Sequence, residues 1–130
     1  MPLAQTAAIK RRTLSGPALR TFFRIADLWQ IPVDHQLKLL GSPSRFTFYK
    51  WKRQFDGSLP QETLERISYI IGIYKALQIL LPDPTDADQW IHQPNQAELF
   101  GGQTALDYLL QGDRQRLEQV RRYLDAQRGG

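Results

Sequence analysis

Residues 94–112, PNQAELFGGQTALDYLLQG, put two helix starts, a forced backbone break and an apolar stripe into nineteen positions. Asn95 with Glu98 three residues on has the form of a capping box, so a short helical turn is expected over residues 96–100. Gly101-Gly102 stops it, because two glycines in succession adopt positive φ at little steric cost. Thr104 with Asp107 is a second such box, opening a helix that carries Leu106, Leu109 and Leu110. Gly112 closes that helix and Asp113 stands where the next one needs a cap. As physics alone this is a tight helix-loop-helix corner, and it sets the expectation of an all-α chain.

Downstream, residues 114–127 place Leu117, Val120 and Leu124 on one face, with Arg114, Arg116, Arg121, Arg122 and Arg128 largely outward. Upstream, Pro82-Asp83-Pro84 ends a helix and residues 86–92 form another turn or two, with Trp90 as a core plug beneath the corner. Asp83, Asp86 and Asp88 do not make a calcium loop. Such a loop needs a central glycine and a glutamate at its twelfth position, which here is Pro94.

Residues 64–81 carry Ile67, Ile70, Ile71, Ile73, Tyr74, Leu77, Ile79, Leu80 and Leu81, which cover more than one helical face. A helix apolar on several sides must be covered on several sides, either by both halves of its own chain or by a second copy. Asp56-Gly57 reads as the turn before it, and Ser58 with Gln61 as its capping box.

The N-terminal half reads as an arm followed by three helices. Residues 1–14, with Lys10-Arg11-Arg12-Thr13, lack an apolar face and are expected to form a flexible basic arm, either plain disorder or a segment that touches DNA. Ser15-Gly16-Pro17 then supplies a cap and a first-turn proline before the stripe Leu19, Phe22, Phe23, Ala26 and Trp29. Pro32 starts a short helix through Leu40, and Gly41 ends it in a tight turn. Residues 43–54, PSRFTFYKWKRQ, place Phe48, Trp51 and Phe55 on one side and Phe46, Tyr49, Lys50 and Arg53 on the other. Short helix, glycine turn and basic-aromatic helix is the order of a helix-turn-helix. Arg45, Thr47, Tyr49, Lys50 and Arg53 supply the cations and hydroxyls that phosphates and base edges take up. An exposed phenylalanine is more often covered by a partner subunit than set to read a base, so Phe46 carries the expectation that this helix serves partly as an interface.

Composition narrows the function. The 130 residues are 42% hydrophobic, enough for a real core, and contain no cysteine, which excludes disulfides, thiolate metal sites and a thiol nucleophile. Residues 1–13 lack the long apolar run of a secretory leader. Residues 67–81 fall short of a membrane span of about 20 residues. A soluble cytoplasmic protein with no membrane association is expected. Residues 1–57 hold ten Lys/Arg against three Asp/Glu, a balance of +7, whereas residues 58–130 hold seven against ten, a balance of −3. The basic half favours a polyanion that the acidic half would repel. His35 and His92, the only histidines, have no acid or nucleophile beside them, and no catalytic or phosphate-loop motif occurs. The expectation is a binding protein with no catalytic residue, cofactor or metal.

The run Trp90, Pro94, Asn95, Leu99-Phe100-Gly101-Gly102, Ala105-Leu106, Leu109, Gly112 and Val120-Arg121-Arg122-Tyr123-Leu124 resembles the C-terminal toxin-binding domain of the Xre/MbcA/ParS antitoxin family. The similarity spans residues 62–130 and extends more weakly into the N-terminal half. Residues 44–51 are similar to recognition helices of resolvase-like and transposase-like helix-turn-helix domains, except that Phe46 stands where a small polar residue is usual. The resemblance implies an antitoxin that occludes a cognate RES-domain, NAD-degrading toxin in the bacterial cytoplasm. With the toxin it would repress its own promoter, and the helix apolar on several sides over 64–81 adds the expectation of a homodimer within that larger complex. Toxin-facing residues carried over by motif are Trp90, Asn95, Phe100, Gly101, Gly102, Arg121, Arg122, Tyr123 and Arg128. The expected layout is an arm over 1–14, a helix-turn-helix over 15–57, a central helix over 58–81 and a toxin-binding bundle over 82–130, the two subdomains packed together. A DNA-binding regulator without a toxin and a helical adaptor for two proteins are the alternatives.

Overall fold

The computed structural model describes residues 3–55 and 58–129, and the side chains from residue 11 onward. Seven α-helices make up the described chain: α1 (Leu3–Leu28), α2 (Val33–Leu39), α3 (Arg45–Gln54), α4 (Gln61–Leu80), α5 (Pro84–Gln89), α6 (Ala105–Leu109) and α7 (Arg114–Gln127). A 3₁₀ turn, Trp90–His92, follows α5. The fold is all-α, as the corner at residues 94–112 implied.

The axis of the molecule is α4. Its Ile67, Ile70, Ile73, Ala76 and Leu77 are buried, packed chiefly against α1 on one side and α7 on another. Both covers come from the same chain. Leu19, Phe22, Phe23, Ala26 and Trp29 of α1 and Leu117, Val120 and Leu124 of α7 are all buried in the same core. Ile79 remains 60% exposed.

Two local expectations are corrected, and a third is met in part. Residues 1–14 were expected as a flexible arm with a helix beginning at residue 15, yet α1 is helical from Leu3 and runs through Pro17. Residues 1 and 2 and the side chain of Lys10 lie outside the described part. The reason sits at Ser15 and Gly16. Ser15 is fully buried; its hydroxyl donates to the Arg11 carbonyl at 2.5 Å and accepts the Leu59 N–H at 2.9 Å. A Cβ on Gly16 would lie 2.7 Å from the Phe55 carbonyl oxygen. The small residues mark where the α3–α4 connection crosses α1, not where α1 begins.

The short turn expected over residues 96–100 is present, the Gly101 N–H donating to the Ala97 carbonyl at 3.0 Å, but no longer helix forms. Asn95 and Gln103 pair (Asn95 N–H to Gln103 carbonyl, 3.1 Å), Gly102 N–H donates to the Asn95 carbonyl at 2.8 Å, and Pro94 bridges Thr104. Closing the ends of the segment leaves room for one turn. The Asn95 side chain caps that turn by accepting the Ala97 N–H at 2.9 Å, while the reciprocal Glu98 bond is absent because the Asn95 N–H goes to the Gln103 carbonyl. At the start of α4, Ser58 is exposed and Pro60 holds the cap position with no side-chain bond, so that box does not form. The Asp56-Gly57 turn and Gly130 lie outside the described residues.

Asp113 stands at the cap position of α7 but makes no side-chain cap bond, whereas the Thr104 and Gly41 signals are in place. Thr104 accepts the Asp107 N–H at 2.9 Å. Gly41, at φ +90, ends α2 in a Schellman arrangement, with Gly41 N–H to the Lys38 carbonyl at 3.1 Å and Ser42 N–H to the Leu37 carbonyl at 2.8 Å.

Candidate functional site

Two surfaces carry the residues singled out from the sequence. The first is the outward side of α3. Ser44 caps the helix by accepting the Thr47 N–H at 3.1 Å, and its hydroxyl meets the Thr47 hydroxyl at 3.0 Å. Thr47 is therefore engaged in the cap and half-buried. Arg45 is ion-paired with Asp34 of α2, which fixes the first turn of α3 against the preceding helix. Phe48 is fully buried, with its ring edge-on to Phe23 at 5.5 Å and to Tyr49 at 5.1 Å. The opposite face shows Phe46, Tyr49, Lys50 and Arg53 to solvent. Lys50 and Arg53 have no ion-pair partner among the described residues. Lys52 instead lies over the Phe23 ring at 5.8 Å. α3 itself contains no acid, so Lys50 and Arg53 make this face positive, with Asp34 of α2 offsetting Arg45 at its edge.

The second surface is built around Phe100. Its ring is 2% exposed and receives edge-on contacts from Trp90 at 5.8 Å, Tyr108 at 5.6 Å and Tyr123 at 5.5 Å. Tyr108 donates its hydroxyl to Gln119, and Arg116 lies 4.5 Å over the Tyr108 ring, which ties α6 to α7. Trp90 and Tyr123 are half-buried, so each holds the core with one side and shows the other. Asn95 and Gly102 bond to each other within the loop, and Gly101, at φ +60, has no neighbour where a Cβ would stand.

The arginines of α7 part company. Arg122 is exposed and pairs with Glu118 at 2.6 Å; Arg128 is exposed and lies 3.6 Å from Asp125. Arg121 lies across α4, where a Cβ on Gly72 would meet its guanidinium Nε at 2.5 Å. It lines a groove of about 700 Å³ between α1, α4 and α7, with Leu14, Leu64 and Ile71 among its apolar walls. The nine residues carried over by motif thus divide into a packed set (Trp90, Asn95, Phe100, Gly102, Tyr123) and a surface set (Gly101, Arg121, Arg122, Arg128).

Arg66 escaped the sequence reading. It is 7% exposed, pairs with Glu62 at 3.2 Å and donates to the Gly112 carbonyl at 3.0 Å. Its guanidinium also lies beneath Gly41, 3.1 Å from where a Cβ would be. One side chain thus touches the turn of the helix-turn-helix and the end of α6. The only signal in the sequence was an arginine amid a run of isoleucines. His92, on the other side, places Nε2 2.6 Å from the Trp29 carbonyl and ties the 3₁₀ turn to α1.

Fold and surfaces together define a helix-turn-helix protein with a second small helical unit fused through a shared helix. Comparison with known proteins specifies the class further. Residues 8–72 match the antitoxin Xre-like helix-turn-helix domain and residues 76–130 match the antitoxin Xre/MbcA/ParS C-terminal toxin-binding domain. The chain belongs to the Xre/MbcA/ParS antitoxin family. It is also 54% identical over 112 residues to the uncharacterized protein y4oB of Sinorhizobium fredii (strain NBRC 101917 / NGR234), covering 86% of this chain and 84% of that one. No solved structure gives a significant match. Among the described residues no helix is long and apolar enough to cross a membrane. Nor does any group of three His, Asp or Glu there form a metal site.

Proposed function

We propose that this protein is the antitoxin of a two-component system whose toxin is a RES-domain enzyme that degrades NAD. It inhibits by covering the toxin's active-site entrance, not by chemistry of its own, and works in the bacterial cytoplasm as a homodimer within a larger complex. The toxin–antitoxin complex represses its own promoter through α3, with Arg45, Thr47, Tyr49, Lys50 and Arg53 on the DNA. One observation carries the reading: a helix-turn-helix match over 8–72 and a toxin-binding match over 76–130 lie in one chain. The charge supports the division, because the half with a surplus of cations contains α3 and the acidic half contains the toxin-binding match. On the toxin side Gly101, Arg121, Arg122 and Arg128 make contact, since arginine pairs bidentately with acidic groups at interfaces. Trp90, Asn95, Phe100, Gly102 and Tyr123 hold the shape behind them.

The experiment is co-expression with the protein encoded beside it, followed by size-exclusion chromatography and measurement of cellular NAD. A stable complex that spares NAD, against NAD loss when the neighbour is expressed alone, is the expected result. No complex and no toxicity would overturn the antitoxin reading and leave a DNA-binding regulator without a toxin. On the DNA side, Lys50→Ala and Arg53→Ala are each expected to weaken promoter binding and to lower the salt slope by about one contact. Unchanged titrations in both variants would remove α3 from the interface.

A further inference from the structure

Phe46 is the most exposed large hydrophobic residue among those described, at 76%, and the basic surface of α3 does not account for it. Resting on the DNA-binding half of the reading above, we propose that Phe46 is a base-reading residue whose ring packs on the 5-methyl group of thymine in the major groove. The placement comes from the helix register. Phe46, Tyr49, Lys50 and Arg53 stand at i, i+3, i+4 and i+7, which is a single face opposite the buried Phe48. Phe46 lies in the first turn, and it is the N-terminal residues of a recognition helix that meet base edges. Lys50 and Arg53 follow about 6 Å and about 10 Å further along the axis, within reach of neighbouring bases and phosphates.

The first turn is also held in position. The Ser44 cap fixes its backbone and the Arg45–Asp34 pair anchors it to α2, so Phe46 is presented on a rigid element. A phenyl ring has no hydrogen-bonding capacity, and the thymine methyl is the apolar group that base pairs show in the major groove. A second copy of the chain is the poorer occupant. A two-fold contact through this face would bring Lys50 and Arg53 against their own equivalents, with no acid on α3 to offset them. Lys50 and Arg53, which have no ion-pair partner among the described residues, make the ring's face suit a polyanion.

The test uses the full-length chain, with its toxin if co-expressed, and a duplex from the region upstream of its own gene, amplified with either dTTP or dUTP. Uracil keeps every hydrogen bond of thymine and lacks only the methyl. Wild type is expected to bind the uracil duplex about five- to tenfold more weakly, the lower part of the range for one altered base pair. Phe46→Ala should lose a similar factor on thymine DNA and bind both duplexes equally. Lys50→Ala should weaken both and keep the thymine preference. Equal wild-type affinity for the two duplexes overturns the proposal. So does a thymine preference that persists in Phe46→Ala, which would mark an effect of uracil on DNA shape. A drop in oligomeric mass of Phe46→Ala with the preference intact would make the ring a subunit contact and overturn it too. Absence of any promoter binding by wild type sinks the DNA-binding reading itself, an outcome distinct from binding without thymine preference.

Discussion

Two helical glycines make opposite demands on substitution. At Gly16 an added Cβ meets the Phe55 carbonyl oxygen at 2.7 Å, and that oxygen belongs to a backbone held in the left-handed region at φ +52. Nothing there can yield cheaply. Gly16→Ala is expected to cost about 1–3 kcal/mol, overriding the ~1 kcal/mol gained in helix propensity. At Gly72 the obstacle is the far end of the flexible Arg121 side chain, whose 3.8 Å contact with Asp125 contributes little, so it can swing away into the groove. Gly72→Ala should therefore retain stability, or gain up to about 1 kcal/mol, while displacing Arg121. Urea denaturation of the two variants checks the contrast, and an equal loss in both would mean that Arg121 is fixed. Phe100→Ala removes a ring packed by three aromatic edges and should cost about 3–5 kcal/mol. A loss of toxin binding in that variant would reflect folding. Arg122→Ala is the sharper probe. Its exposed pair with Glu118 contributes little, so stability should hold within about 0.5 kcal/mol while toxin affinity falls.

At the scale of elements, legibility in the sequence depended on whether a signal was local. The faces of α3 follow from helical spacing alone, which is why Phe48 inward and Phe46, Tyr49, Lys50 and Arg53 outward could be read directly. The Thr104–Asp107 start of α6 likewise needs only three residues. Ser15-Gly16-Pro17 could not be read that way, because its partners Leu59 and Phe55 are some forty residues distant and their approach is invisible in the run itself. Ser15→Ala tests this. It would leave the buried Leu59 N–H without its acceptor and should cost about 1–3 kcal/mol, seen as a lower denaturation midpoint with α1 still helical at low temperature. A neutral result would show that water replaces the hydroxyl. The candidate sites divide in the same way. The period of α7 placed Arg122 outward, as found, but the seats of Arg121 over Gly72 and of Arg116 over the Tyr108 ring depend on contacts between elements.

At the scale of the molecule, α4 is common property. The helix-turn-helix match ends at residue 72 and the toxin-binding match begins at 76, both inside Gln61–Leu80. Neither half can bury its own core without that helix: α1 covers one side and α7 another, while Arg66 bonds the end of α6 from beneath the turn after α2. The two family modules should therefore unfold as one unit. Tryptophans report from both halves, Trp29 and Trp51 on the N-terminal side and Trp90 beside Phe100. Tryptophan fluorescence and far-UV circular dichroism are expected to give coincident urea transitions, the signature of two-state behaviour. Replacing Arg66 with Met would leave the Gly112 carbonyl without its donor and should shift both probes together by about 2 kcal/mol. Two separated transitions, or a shift confined to one probe, would show independent domains. Coincidence has a functional corollary. Truncation after Gly112 would strip α7 from α4 and expose the core around Ile70, Ile73 and Leu77, so DNA binding would fall with toxin binding. Point changes on the α7 surface, not deletion, are needed to separate the two activities.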